Sequence, residues 1–310
     1  MPLISIVTGC FNEEANLDEL YLRLCKIFND LGSLYSFELI IIDNNSTDSS
    51  AQILRRLASH DLRVKVIFNN RNFGHIRSGY HAFLQSKGDA VVLMASDLQD
   101  PPELIPKLIE RWAAGFKVVL AQKNQSEESV LFFSIRAAYY RLLKRFSEVE
   151  LVEHATGFGL YDSAVRRDIA AINDPYPFFR GLVCDLGYPR DVVQFVQPTR
   201  KRGISTNNFY TLWDIGMLGL VSHSKVPLRL AIFFGMCVAL LSIGAAIGYA
   251  VYKLLFWDSF QVGTAPLVIG MFFLGAVQLV FIGVVGEYIG AIYTQVLRRP
   301  PVVERERINF

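Results

Sequence analysis

Two long stretches without a charge occupy the last third of the chain, and they restrict the folds open to it. Leu230–Tyr252 is 23 residues free of Asp, Glu, Lys and Arg, and Gln261–Gly286 is a second uncharged stretch that continues past Glu287 to Leu297. At ~1.5 Å rise per residue, the first alone covers a hydrocarbon core of ~30 Å. A buried helix of a soluble domain does not need two such lengths in succession, so both are expected to be transmembrane helices. The flanks carry the cations: Arg200, Lys201, Arg202, Lys225 and Arg229 before the first, and Arg298, Arg299, Arg305 and Arg307 after the second. Between them, Phe256–Thr264 has no Lys or Arg. That asymmetry predicts an integral membrane protein with both termini cytoplasmic. Gly244-x-x-x-Gly248 and Gly286-x-x-x-Gly290 permit close helix contact and suggest a homo-oligomer. Glu287 is expected near the inner interface or against a partner helix.

The overall apolar fraction of 52% is concentrated beyond residue 225, and the net charge of +2 gives no basis for a nucleic-acid partner. Cys10, Cys25, Cys184 and Cys237 are widely spaced with no CxxC pair, which suits reduced, small apolar side chains better than disulfides or zinc. The start Met1-Pro-Leu-Ile-Ser lacks a basic region followed by an apolar run, so no signal peptide is expected.

The first half alternates between two periods. Leu3–Thr8, Phe37–Asp43, Arg63–Phe68, Ala90–Ala95 and Lys117–Ala121 read as strands. Helices are expected from Leu17 to Gly32, over Ser49–His60, over Ile76–Gln85 and after Pro101. The strand runs are mostly too apolar to have a wet face, which implies an α/β fold with a mostly parallel sheet covered on both sides. Neither GxGxxG nor GxxxxGK[ST] is present, so a Rossmann dehydrogenase and a P-loop NTPase are disfavoured. Instead, four successive strand ends present polar groups: Glu13, Asp43, Asn72 and Asp97. Carboxylates at such ends sit where open α/β sheets bind ligands, and could hold Mg²⁺ or Mn²⁺ against a diphosphate. Asp100, Pro101 and Glu103 fit a helix N-cap, first-turn proline and capping-box partner.

Phe11-Asn-Glu-Glu14, Ile42-Asp-Asn-Asn-Ser-Thr-Asp48, Asn70-Arg-Asn-Phe-Gly74 and Asp97-Leu-Gln-Asp-Pro-Pro-Glu103 resemble the ordered motifs of family 2 glycosyltransferases with a GT-A fold. More narrowly, the chain resembles the membrane-anchored polyprenyl-phosphate glycosyltransferases. The resemblance implies that Phe11, Glu13, Asp43 and Asn72 hold the nucleotide-sugar donor, and that Asp97 with Gln99 holds the divalent metal. It implies an inverting transfer to a polyprenyl phosphate, with glucose from UDP-glucose as the first expectation and mannose from GDP-mannose as the next. Two departures from the pattern stand out: Ala95-Ser-Asp97 replaces Asp-x-Asp, and Gly157 and Gly159 replace an Asp and an Arg. A catalytically silent scaffold or flippase-associated relative is therefore the competing expectation. A processive polysaccharide synthase is disfavoured, since no QxxRW-type motif occurs.

Two further segments point to the bilayer. Leu131–Phe146 has an apolar face with Arg136, Arg141, Lys144 and Arg145 around it, suiting either a membrane-surface helix or an ordinary surface helix. Arg200-Lys-Arg202 precedes an expected interfacial amphipathic helix from Phe209 to Val221, and Arg200 and Arg202 are expected to hold substrate phosphate. The expected layout is a catalytic domain over 1–190, a basic loop and interfacial helix over 191–226, two spans over 227–297, and a polar, mobile cytoplasmic tail over 298–310.

Overall fold

The computed structural model describes residues 1–123, 152, 155–198, 217–219, 221, 224–256 and 264–310. The Leu131–Phe146 segment, Arg200, Arg202 and the Phe209–Trp213 start of the expected interfacial helix lie outside the described residues.

Alternation of apolar strands with amphipathic helices produces the first half as anticipated. Strands β1 (Leu3–Cys10), β2 (Ser36–Asp43), β3 (Val64–Asn69), β4 (Ala90–Ala95) and β5 (Val118–Lys123) alternate with helices α1 (Glu14–Leu31), α2 (Ser50–His60), α3 (His75–Gln85) and α4 (Ile105–Ala113). Three more strands follow: β6 (Ala155–Asp162), β7 (Arg190–Phe195) and β8 (Glu304–Ile308). Together they form one eight-stranded sheet in the order β7-β5-β6-β4-β1-β2-β3-β8. The β1–β2, β1–β4, β2–β3 and β5–β7 pairs are parallel, while β6 and β8 run antiparallel to their neighbours.

Both faces of the sheet are covered. Leu17, Leu20 and Leu24 of α1, Leu54 of α2 and Leu108 of α4 bury one face. Tyr80 and Phe83 of α3 cover the other, with Val165 and Ile169 of α5 (Ser163–Ile172) and Leu182 of α6 (Phe179–Asp185). Strands enclosed on both faces need no polar alternation, which is why their sequences read as continuous apolar runs. At the edge away from the strand C-termini, Glu38 is buried; burial works against its charge, but the Lys65 ammonium at 2.6 Å, the Ser5 hydroxyl and the Lys87 N–H hold its pKa lowered.

The uncharged stretches form helices α7 (Val226–Leu255) and α8 (Thr264–Leu297). Both are long and apolar enough to cross a membrane over Val226–Tyr249 and Gly270–Leu297. They meet through Phe234 and Phe281, whose ring centroids are 6.3 Å apart, and where the Tyr288 hydroxyl donates to the Ser224 carbonyl at 2.6 Å. Outward side chains such as Leu241, 75% exposed, leave α7 with no polar face to present to water.

The tail corrects an expectation. Residues 298–310 are not a mobile appendage, because β8 pairs with β3 and completes the edge of the sheet. The chain before the two long helices and the strand after them therefore share one sheet, so the helix pair leaves and returns on the same side. A bulge opposite the Phe68–Asn69 step puts Glu304 and Glu306 on opposite faces, where Glu304 meets His81 of α3 and Glu306 meets Arg55 of α2. Charged side chains along β8 also suit an edge strand that must not recruit further chains.

Candidate active site

Strand order fixes where a ligand would sit. From β1 the chain proceeds one way through β2 and β3, whereas β4 lies on the opposite side of β1. The resulting switch point opens a crevice beyond the C-terminal ends of β1 and β4, and the loops after β1, β2, β3 and β4 border it.

Those loops are tied together by side chains. The left-handed backbone at Asn12 (φ 57°) aims its side chain at the next loop, where its Oδ1 accepts from Thr47 N–H at 2.8 Å. Asn12 N–H donates to Ser46 Oγ at 2.9 Å, and Glu13 N–H donates to Ser50 Oγ at 2.9 Å. Asn44, absent from the residues predicted as ligand-binding, is the hub between the second and third loops. Its Oδ1 accepts from Asn69 Nδ2, Phe73 N–H and Ser78 Oγ at 2.8–3.1 Å, and its Nδ2 donates to Asn72 Oδ1 at 2.7 Å. The sequence signal was available as Asn-Asn-Ser-Thr turn chemistry, but its long-range partners were not.

The structure brings Phe11, Glu13, Asp43, Asn72, Asp97 and Gln99 to this one edge. Phe11 is half-buried just beyond β1. Glu13 is buried at the start of α1, where Asn16 Nδ2 donates to its Oε2 at 2.6 Å. Asp43 is 1% exposed at the end of β2. Burial pushes its pKa up, while the Ser46 hydroxyl and N–H and the Arg305 guanidinium pull it back. Asn72 is exposed, and its Oδ1 accepts from Gly74 N–H at 2.8 Å as well as from Asn44, so it shapes its loop. Arg200 and Arg202 are outside the described residues.

After β4 the chain takes an unusual course. Ser96 Oγ donates to the Gly9 carbonyl at 2.7 Å, pinning the β4 end to β1. Leu98 adopts φ +62°, a conformation costing an L-residue roughly 1–2 kcal/mol. It packs onto the core, leaving Asp97 and Gln99 half-buried on either side of it. Asp97 Oδ1 accepts from Gln99 N–H at 3.1 Å. Asp100 corrects an expectation: it caps no helix. Its Oδ2 accepts from Ala95 N–H at 2.9 Å, and Glu103 pairs with Arg23 instead of closing a capping box. Asp100 is 6% exposed, and burial first, then the charge of Asp97, raise its pKa to about 6 despite the Ala95 hydrogen bond and the cations Lys123 and Arg180.

The two glycine departures have different physical origins. A Cβ at Gly159 would meet the Val119 carbonyl oxygen at 2.5 Å, so strand packing in β6 requires glycine there. Around Gly157 there is open space, but its φ of +95° disfavours other residues.

The donor set suits a divalent ion held jointly with a substrate. Asp97 and Gln99 are hard oxygen donors on a fixed turn, and among the described residues no three His, Cys, Asp or Glu side chains form a cage of their own. Mg²⁺ and Mn²⁺ sites of that kind are completed by phosphate oxygens.

An α/β sheet with acidic strand ends at its switch point is an architecture that many activities share, and the sequence comparison is specific: the profile of "Glycosyl transferase family 2" matches residues 5–170. The chain belongs to glycosyl transferase family 2 and is a glycosyltransferase. It is 34% identical to the SfII prophage-derived bactoprenol glucosyl transferase of Shigella flexneri, over 97% of this chain and 96% of that protein. It is 31% identical to the prophage bactoprenol glucosyl transferase homolog of Escherichia coli strain K12, over 97% of each. Among solved structures, glucosyl-3-phosphoglycerate synthase from Mycobacterium tuberculosis in complex with Mn²⁺, uridine-diphosphate and phosphoglyceric acid shares 19% identity, over 70% of this chain and 75% of that one, with a TM-score of 0.45.

Proposed function

We propose that this protein transfers glucose from UDP-glucose, with inversion, to the phosphate of a membrane polyprenol at the cytoplasmic face. The carrying observation is that the acidic strand ends and the base of the membrane-length helix α8 lie at one edge of the sheet, where β8 begins beside the end of β3. The α8 end reaches the segment after α5 through Gln295 Nε2, which donates to Asp174 Oδ1 at 2.7 Å. That segment reaches the first turn of α3, where the Arg77 guanidinium lies 5.0 Å from the Tyr176 ring centroid. The relatives named bactoprenol glucosyl transferase support glucose and a polyprenyl acceptor. Cation-rich flanks support cytoplasmic termini, and the pairing of β3 with β8 keeps the C-terminal strand with the first half of the chain.

A lipid phosphate monoester has a second pKa near ~6 and is mostly ionised at pH 7. Such a nucleophile needs no general base, so glycine at position 157 is compatible with turnover. One acceptor oxygen forms a bond to the sugar anomeric carbon as that carbon's bond to the diphosphate breaks, and the electron pair leaves with the nucleoside diphosphate. Asp97 and Gln99 would hold Mg²⁺ or Mn²⁺, which when bound neutralises the departing diphosphate. Asp43, Glu13 and Phe11 position the nucleoside, and Asn44 keeps the adjacent loops fixed, so the main contributions are alignment and electrostatic complementarity. Arg200 and Arg202 are assigned to substrate phosphate on charge and sequence position.

The full-length protein, reconstituted with a polyprenyl phosphate and Mg²⁺, is to be offered labelled UDP-glucose and GDP-mannose in parallel. A chloroform-soluble labelled lipid from UDP-glucose is expected. Mannose transfer alone would replace the donor assignment, and no transfer from either would favour the silent relative.

A further inference from the structure

A groove of ≈ 750 Å³ lies between the turn after α5 and the base of α8. Ile172, Asn173 and Pro175 form one wall, while Val296, Arg298 and Arg299 contribute to the other. Two features distinguish it from a mere gap. Its walls carry exposed apolar surface at the foot of a membrane-length helix, with Ile172 48% and Val296 71% exposed. Its cations have no partner: among the described residues, neither Arg298 nor Arg299 makes an ion pair or hydrogen bond. Among the described residues the nearby Asp174 forms no ion pair with them; its Oδ1 accepts from Gln295 Nε2 and from the Tyr176 N–H at 2.9 Å.

Arg298 has φ +45°, ending α8 abruptly and placing two consecutive guanidinium-bearing residues at this corner before Pro300 and Pro301 redirect the chain to β8. The opposite wall continues through Tyr176 to Arg77, on the edge that carries Asp97.

We propose that this groove receives the phosphate monoester of the polyprenyl acceptor as it leaves the bilayer plane, with Arg298 and Arg299 as the anion-binding groups. The proposal rests on the polyprenyl-phosphate transfer proposed above. A monoester carries about −1.5 to −2 charges at pH 7, against one for a bilayer phosphodiester, and its terminal oxygens match the donor fork of arginine. Two adjacent guanidiniums therefore favour the monoester over bulk lipid, and the apolar walls accept the first part of its hydrocarbon chain.

The test uses the full chain in nanodiscs without any sugar donor. Native mass spectrometry counts retained polyprenyl phosphate and, separately, retained phosphatidylglycerol. The Arg298→Gln/Arg299→Gln protein is expected to bind the monoester on the order of tenfold more weakly, the loss of about one charge-assisted hydrogen bond, with phosphatidylglycerol unchanged. Arg298→Lys/Arg299→Lys should recover part of the binding, and Arg299→Gln alone replaces the double variant if that protein does not fold. Unchanged monoester binding overturns the proposal. Equal loss of both lipids also overturns it, and identifies a general anionic-lipid surface. Because binding is read without donor, a protein that transferred no glucose would refute the proposed reaction and leave this result standing.

Discussion

Arg55 and Glu306 meet across 251 residues of sequence, with Arg55 Nη2 donating to Glu306 Oε2 at 2.6 Å and Nη1 engaging the other carboxylate oxygen. The contact ties a helix of the first half of the chain to a strand that follows the second membrane-length helix. Beside it, the Arg55 and Arg305 guanidiniums lie 4.4 and 5.8 Å from the Phe68 ring centroid, and Phe68 is the register partner of Asp43. The last strand thus reaches the row of side chains that includes a proposed donor-binding carboxylate.

Both Arg55 and Glu306 are substantially exposed, so Glu306→Ala alone should cost at most about 1 kcal/mol. Removing residues 302–310 should cost far more, since it deletes the β8 ladder and the buried Val302 and bares β3. Thermal unfolding of the two proteins in detergent checks the contrast; equal midpoints would refute it.

Arg305→Ala should raise the KM for donor more than it lowers kcat, because Arg305 favours the ionised form of Asp43 without touching the reacting atoms. Steady-state kinetics with varied donor decides this, and Arg305→Lys should restore most of the affinity.

Asp100 should make stability fall as pH rises. Its pKa is raised from 3.8 to about 6 in the folded protein, so the native state binds more protons between those values. Its contribution is fully present below pH 3.8 and is lost as pH rises through about 6, a change of about 3 kcal/mol. Asp100→Asn keeps an acceptor for Ala95 N–H and removes that slope. The difference in unfolding free energy between the two proteins, followed from pH 4 to pH 8, should grow in favour of the variant.

Asn44→Ala should cost about 2–4 kcal/mol and raise the donor KM. It leaves Asn69, Phe73 and Ser78 donors without their shared acceptor. Unfolding midpoints together with donor titration test it; loss of stability with unchanged KM would confine Asn44 to a purely structural role.

The sequence made some of this architecture visible and concealed the rest for definable reasons. Ala90–Ala95 was readable to the residue because a strand buried on both faces is a pure apolar run. The two long helices were equally plain from the absence of charge. β6 was hidden by its two glycines, one required by the close approach of β5, and β8 by its Glu-Arg-Glu-Arg sequence, which has no apolar run. Those charges are explained only by partners on α2 and α3 that lie more than 200 residues away. Asp100 fitted a helix-capping pattern, yet a bond back to the end of β4, five residues earlier, prevailed. The strand-end carboxylates were legible as a set because topology alone brings them to one edge, whereas the loop-tying role of Asn44 depends on side-chain geometry.

The most direct test of the central claim is the initial rate of glucosyl transfer from UDP-glucose to polyprenyl phosphate in proteoliposomes, compared between the native protein and Asp97→Asn. Removal of the proposed metal-holding carboxylate should lower the rate by roughly 10²–10³-fold, as expected for the loss of one preorganised electrostatic group. Thermal stability should be unchanged, because Asp97 is a half-buried side chain beyond the end of β4 and is not part of the core. A variant that transferred glucose at the native rate would contradict the account.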